Sequence, residues 1–354
     1  MIHTRRLLFF LLSLVVLMMA GCFAADGTDT SAPPAPDAVN APQTTEDEPP
    51  GGPGAFEIDT RAAAHPLSIQ LLRDRAYTGS DFVVEQVLEP GSNYDRYVVS
   101  YLSDGLKIYA MLTVPWGEKP PTGFPVVIFN HGYIPPTEYR TTERYVAYVD
   151  AFARNGYIVV KSDYRGHGSS EGEPESAYRS PGYVIDVLNA LASARRYPDA
   201  DPNRVGMWGH SMGGYITLRA MVANQGIKAG VIWAGVVASY DEMFRSWFGG
   251  SSRWRDDTVQ QFGSPSDNPA FWNALSANSF LPDLSGPIQI HHGTADTSVP
   301  YDYSIMLDEQ IRAAGKPTEL FLYTNDDHNI TTNRDDALLL SVAFFHVHVR
   351  DSGT

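Results

Sequence analysis

Trp208-Gly209-His210-Ser211-Met212-Gly213-Gly214 places Gly-x-Ser-x-Gly directly between an apolar β-rich run, Arg204 to Trp208, and a helical run, Gly214 to Asn224. A serine on a tight strand-to-helix turn projects its hydroxyl above the sheet, and glycines two residues to either side let the backbone turn without side-chain clash. Serine alone is a poor nucleophile at neutral pH and needs a base within hydrogen-bond reach, itself oriented by a carboxylate. In this arrangement the partners follow the serine in the order acid then histidine, each just after a later strand.

Ile290-His291-His292-Gly293-Thr294-Ala295-Asp296 ends one such strand and puts Asp296 in the acid's loop. Tyr323-Thr324-Asn325-Asp326-Asp327-His328 leaves the next and puts His328 in the base's loop. Of the histidines after Ser211, His291 and His292 precede the acid, and His346 and His348 lie in the C-terminal helical run, so His328 remains. Asp326 and Asp327 are alternative acids, but they sit too close in sequence to the histidine to orient its ring from behind. A tetrahedral oxyanion needs preorganised N–H donors. One is expected from the backbone of Met212 at the start of the helix. The other is expected from the backbone of Tyr133 in the His131-Gly132-Tyr133 loop, with the Tyr133 hydroxyl as second candidate. The bland reading of His131-Gly132 is a plain turn.

Outward from this stretch, short apolar runs alternate with helical ones. Tyr97 to Tyr101 and Lys107 to Val114 read as a hairpin about Ser103-Asp104-Gly105. Strands follow at Pro125 to Asn130, Tyr157 to Ser162, Arg204 to Trp208, Gly230 to Ala234, Ile288 to His291 and Glu319 to Tyr323. Helices are expected at Thr141 to Arg154, Tyr183 to Arg196, Gly214 to Asn224, Tyr301 to Ala314 and Asp335 to Val349. The pattern implies an α/β fold with a mostly parallel sheet covered on both faces. Val236 to Pro287 breaks the alternation and is rich in aromatics (Phe244, Trp247, Phe248, Trp254, Phe271, Trp272 among them), so a helical cap-like insertion is expected over 236–287. Its aromatics either line an acyl or aryl pocket or pack a small core of their own.

Tyr97 to Arg350 resembles an α/β-hydrolase, and the match is closest to the prolyl oligopeptidase-like serine peptidases and their esterase relatives. The stretches that carry it are Asn130-His131-Gly132, Asp163 to Ser169, Asp201-Pro202-Asn203-Arg204-Val205-Gly206 leading into the serine turn, and His292 to Asp296 with Val299-Pro300 behind. The resemblance implies that Ser211, Asp296 and His328 form the triad, and that the loop glycine region completes the oxyanion hole. Phe56 to Tyr94 is about one blade long at ~40 residues per blade, too short for the propeller such peptidases usually carry. Lack of that size filter shifts the expectation toward small esters.

The N-terminus carries Arg5 and Arg6 ahead of an apolar run, Leu7 to Ala20, in which Ser13 is the one polar residue. This matches an export signal and is short for a membrane-spanning helix. Met19-Ala20-Gly21-Cys22 resembles a bacterial lipobox, with Cys22, the only cysteine, as the lipidated residue. The alternative is an ordinary signal cut near Ala24 or Ala25. Residues 23–55 hold seven prolines, six acidic residues and no Lys or Arg, a composition that cannot repay the entropy of ordering. The organisation expected is therefore a signal at 1–21, a lipid-anchored linker at 22–55 and a catalytic domain at 56–354.

The net charge of −15 argues against nucleic acid as a partner, and one cysteine excludes a disulfide scaffold. The expectation is an extracytoplasmic serine hydrolase cleaving small esters or short peptides through an acyl-enzyme, with neither metal nor organic cofactor required. The alternatives are a serine peptidase or aminopeptidase on the same triad, and a non-catalytic surface binding lipoprotein.

Overall fold

The computed structural model describes residues 60–248 and 253–352. The signal, the linker and Cys22 lie outside the described residues. Among the described residues nine strands form one sheet: β1 (Val83–Leu88), β2 (Tyr94–Ser103), β3 (Leu106–Pro115), β4 (Phe124–Asn130), β5 (Ile158–Ser162), β6 (Ala200–His210), β7 (Ala229–Trp233), β8 (Ile288–Gly293) and β9 (Thr318–Tyr323). Their order is β1-β2-β3-β5-β4-β6-β7-β8-β9. The first three strands and the β3/β5 junction are antiparallel, and every pairing from β5 to β9 is parallel. The β2/β3 hairpin closes at Asp104-Gly105, both at positive φ, with Ser103 opposite Leu106. That is the backbone a two-residue hairpin turn prefers.

β4, β5, β7 and β8 are buried along their whole length because both of their faces are covered. Among the described residues ten α-helices flank or cap the sheet: α1 (Thr60–Ala63), α2 (Ile69–Asp74), α3 (Val146–Ala153), α4 (Gly182–Ala194), α5 (Met212–Ala223), α6 (Tyr240–Ser246), α7 (Arg253–Phe262), α8 (Pro269–Leu275), α9 (Asp302–Ala313) and α10 (Arg334–Phe345). One apolar layer packs α4, α5 and α9 against one face, with Ile128, Ile216 and Ile290 fully buried in it. The other packs α3 and α10 against the opposite face around Trp208, Trp233 and Phe345. Among the described residues no helix is long and apolar enough to cross a membrane.

Two helix boundaries need correction, one strand was not foreseen, and one open alternative is resolved. β1 has no counterpart in the hydrophobic pattern, because this edge strand is exposed from Val83 to Val87 and so shows no alternation. The helix expected from Thr141 begins only at Val146, because Arg144 and Tyr145 take left-handed φ values of 54° and 52°. The last helix ends as an α-helix at Phe345 and widens into a π-turn over His346–Arg350, where His346 stacks on Tyr157 and hydrogen-bonds its hydroxyl at 2.8 Å. The segment at 236–287 is helical as expected and lies between two strands that pair directly, but its aromatics pack mainly on one another and on the chain's first helices. Phe244 meets Trp272 with centroids 4.6 Å apart, and Phe262 stacks on Phe271 beneath His65.

The loop after β5 braces the sheet. Arg165 forks onto the buried Asp186 of α4, with its Nη2 2.8 Å from Oδ1. Arg204 pairs with Asp201 at 2.7 Å and donates to the carbonyls of Gly123 and Arg350.

Buried histidines make the fold sensitive to acid. Burial pushes His131, His210 and His291 down to about 3 each. They stay neutral in the fold while the unfolded chain takes up protons below about 6.5, so stability present above that pH is lost as pH falls toward 3. Asp163, raised by burial to about 6, works the other way, since the fold keeps its proton where the unfolded chain releases it. Burial also holds His65, His167 and His346 below the usual histidine range, so the histidines outweigh Asp163 and unfolding free energy is expected to drop by roughly 4 kcal/mol or more between pH 7 and pH 5. Urea midpoints at the two pH values check this; equal midpoints would contradict it.

Candidate active site

Ser211 sits between the last residue of β6 and the first of α5, with φ 56° and ψ −119°. Such a backbone costs a non-glycine residue about 1–3 kcal/mol, so the surroundings must enforce it. Its N–H donates to the Trp233 carbonyl at 2.9 Å, and its own carbonyl accepts from the N–H groups of Gly214 and Val236. The two flanking glycines are required by close approach. A Cβ on Gly213 would lie 1.9 Å from the Asn130 carbonyl oxygen, and one on Gly209 would lie 2.2 Å from that of Gly213. The motif therefore locks β6, α5 and the end of β4 together at the point where the serine emerges.

Three residues beyond β8, Asp296 is fully buried at its carboxylate. Its Oδ2 accepts from His328 Nδ1 at 2.6 Å and from His292 Nε2 at 2.9 Å, while Oδ1 accepts the backbone N–H groups of Ser298 and Val299 at 2.7 and 3.0 Å. Burial alone would raise this carboxyl, but the donors from His292, His328 and Val299 outweigh it and hold the group well below the usual carboxylate range. With the carboxylate as acceptor, Nδ1 of His328 carries the proton and Nε2 is left with its lone pair. Asp326 and Asp327, the alternative acids, serve the turn instead. Asp326 accepts from the N–H groups of Asp327, Thr332 and Asn333, and Asp327 accepts from Asn329 and Thr331.

Ser211 and His328 line one cavity of about 430 Å³, together with Tyr133, Arg144, Tyr145 and Tyr148. Gly132 lies against Ser211, where an added Cβ would come 3.2 Å from the serine Cβ, Tyr133 follows it on the cavity wall, and among the described residues neither the Met212 nor the Tyr133 backbone N–H donates to a protein acceptor. The Tyr133 ring is 68% exposed on the cavity wall. Phe244, in contrast, lines a separate cavity between α6 and α7 with Arg255 and Val259, so the aromatic wall of the serine cavity comes from residues 133–148 and not from the 236–287 segment.

A hydrogen-bond chain that sequence reading does not disclose ties three loops together. The Gly132 N–H donates to the Tyr145 hydroxyl at 2.9 Å, which bonds His210 Nδ1 at 2.8 Å; His210 Nε2 in turn donates to the His328 carbonyl at 2.9 Å. Because burial keeps His210 neutral, one of its nitrogens donates and the other accepts. The carbonyl fixes Nε2 as the donor, so the chain runs in one direction. His292, which precedes the acid in sequence, joins the site through its Nε2 on Asp296 while its Nδ1 bonds Ser304 at 2.7 Å. Its spacing of four residues from Asp296 is the one sequence signal of that contact. Among the described residues no cluster of three or more metal-binding side chains occurs.

With this geometry in view, comparison with known proteins places the chain. The model of the prolyl oligopeptidase family matches residues 144–351, more than half of the chain. An uncharacterised peptidase, YtmA, of Bacillus subtilis is 23% identical over 248 residues, covering 68% of this chain and 88% of that protein. Among solved structures, acylaminoacyl peptidase of Pyrococcus horikoshii superposes with a TM-score of 0.60 at 21% identity, covering 74% of this chain. This chain spans only 43% of that peptidase. An acetyl xylan esterase from Paenibacillus sp. R4 gives a TM-score of 0.61 at 16% identity, over 83% of this chain and 96% of the esterase. These structural likenesses fix the α/β-hydrolase fold. The protein belongs to the prolyl oligopeptidase family and is a serine hydrolase.

Proposed function

We propose that this hydrolase cleaves small carboxylic esters through an acyl-enzyme on Ser211. The observation that carries the reading is the 2.6 Å hydrogen bond from His328 Nδ1 to the fully buried Asp296 carboxylate, beside a cavity that Ser211 shares. Ser211 Oγ attacks the ester carbonyl carbon as His328 Nε2 takes its proton. The oxyanion is met by the N–H groups of Met212 and Tyr133. The C–O bond to the alcohol breaks as His328 returns the proton to the leaving oxygen. Water then adds to the acyl carbon with the same base, and the acid leaves as Ser211 recovers its proton.

Ester substrates are favoured over peptides by the lining of the cavity. An aminopeptidase needs an anion to hold the substrate's ammonium group, and among the described residues no Asp or Glu lines this cavity. Export across the cytoplasmic membrane and anchoring by lipid at Cys22 belong to the same proposal and rest on residues 1–22 alone.

The test is a panel of 4-nitrophenyl esters against aminoacyl, prolyl and dipeptidyl 4-nitroanilides on the purified protein. Esters are expected to be turned over with kcat/KM at least about 100-fold above any anilide. Anilide turnover that equals or exceeds it would replace the reading with a peptidase.

A further inference from the structure

Arg144 and Tyr145 are consecutive non-glycine residues in the left-handed region, a backbone that L-residues rarely adopt. The pair is pinned from both sides. Lys161, fully buried, donates from Nζ to the Glu143 carbonyl at 3.0 Å. On the other side the Tyr145 hydroxyl is held by Gly132 and His210. Strain maintained in this way concentrates where a side chain has to be aimed.

The side chain so placed is a guanidinium. Arg144 is exposed and lines the cavity of Ser211 and His328. It is the one Lys, Arg, Asp or Glu among the described residues lining that cavity. No hydrogen bond or ion pair with another described residue engages it. Its charge reaches the Tyr145 hydroxyl, where it opposes the rise that burial gives that group. The chain as a whole carries −15, a field that repels anions, so one unpaired cation beside the serine sets a local preference against the general one.

We propose that Arg144 is a specificity-determining residue that receives a carboxylate on the ester substrate, close to the bond being cleaved. Its planar fork matches a carboxylate in two parallel hydrogen bonds, which a neutral substrate group cannot supply. The inference rests on the ester-hydrolase reading and names its substrate class: esters bearing a carboxylate on the acyl or the alcohol side.

Two matched pairs test it on the full chain. The acyl-side pair is 4-nitrophenyl hydrogen adipate and 4-nitrophenyl 5-carbamoylpentanoate; the alcohol-side pair is 3-carboxyphenyl acetate and 3-carbamoylphenyl acetate. In one of the pairs the anionic ester is expected to have a kcat/KM about tenfold above its amide partner, and rising salt should shrink that ratio. Arg144→Gln should bring the ratio to about one, Arg144→Gly should do the same without the left-handed strain, and Arg144→Lys should keep part of it. Turnover of the neutral esters with no anionic preference in either pair overturns the inference while leaving the ester reading in place. So does an Arg144→Gln effect equal on both members of the preferred pair. Failure on all four esters together with no fluorophosphonate label on Ser211 overturns the ester reading, and this inference with it.

Discussion

Ser211→Ala should remove hydrolysis of 4-nitrophenyl esters almost completely, a fall in kcat of about 10⁴ to 10⁶-fold, and should abolish covalent labelling by a fluorophosphonate. What residual rate persists would come from the Met212 and Tyr133 N–H groups and from binding. The fold should be untouched, because the hydroxyl of Ser211 makes no hydrogen bond with a described residue and Ala keeps the same Cβ at φ 56°. Ser211→Gly separates chemistry from strain. It should be equally inactive yet more stable, by about 1 kcal/mol, because glycine adopts positive φ without steric penalty. Thermal unfolding read beside activity checks both statements. An alanine variant with wild-type activity would remove Ser211 from the mechanism.

Asp296→Asn should cost about 10⁴-fold in kcat, and here it should also cost stability. The carboxylate takes four donors, two ring N–H groups on Oδ2 and two backbone N–H groups on Oδ1. An asparagine amide nitrogen must face one of these sets, donor against donor. If it faces the rings, His328 relieves the clash by moving its proton to Nε2, the atom that has to accept from Ser211. If it faces the backbone, the N–H groups of Ser298 and Val299 lose their acceptor, at a cost of about 1–3 kcal/mol. A kcat loss with KM little changed, together with a lowered melting temperature, is the expected signature. Unchanged kcat would show that the His328–Asp296 contact does not orient the base.

His292→Ala is not an equivalent probe. It removes only one of the two rings on Oδ2 and leaves His328 its partner, and the Ser304 hydroxyl would lose its bond to His292 Nδ1. Its effect belongs with packing around the acid loop.

The parts of the molecule legible in the sequence are those governed by neighbours along the chain. Gly209 and Gly213 flank Ser211 because a turn from strand to helix leaves no room for Cβ atoms, and that need is visible in seven consecutive letters. Apolar runs such as Val126 to Phe129 mark strands covered on both faces, and the turn at Asp104-Gly105 marks a hairpin. Asp296 and His328 could be singled out because chain order after successive parallel strands maps onto position along one rim of the sheet. β1 escaped because an exposed edge strand buries neither face and so leaves no alternation to read. The late start of α3 escaped because its cause, a left-handed pair at Arg144 and Tyr145, is enforced from elsewhere: by Lys161 beneath Glu143 and by Gly132 and His210 around the tyrosine hydroxyl.

Sequence alone thus determined the serine turn, the class of fold and the order of the candidate acid and base, all consequences of local backbone sterics and hydrophobic period. Tertiary structure decided which groups fill the remaining hydrogen-bond positions of Asp296, how Tyr145 and His210 join the Gly132 loop to the His328 loop, which aromatics wall the cavity, and that Arg144 stands there without a partner among the described residues. Each of these depends on residues tens or hundreds of positions apart meeting within about 3 Å, and a hydrogen bond between distant residues leaves no periodic trace in the letters of either.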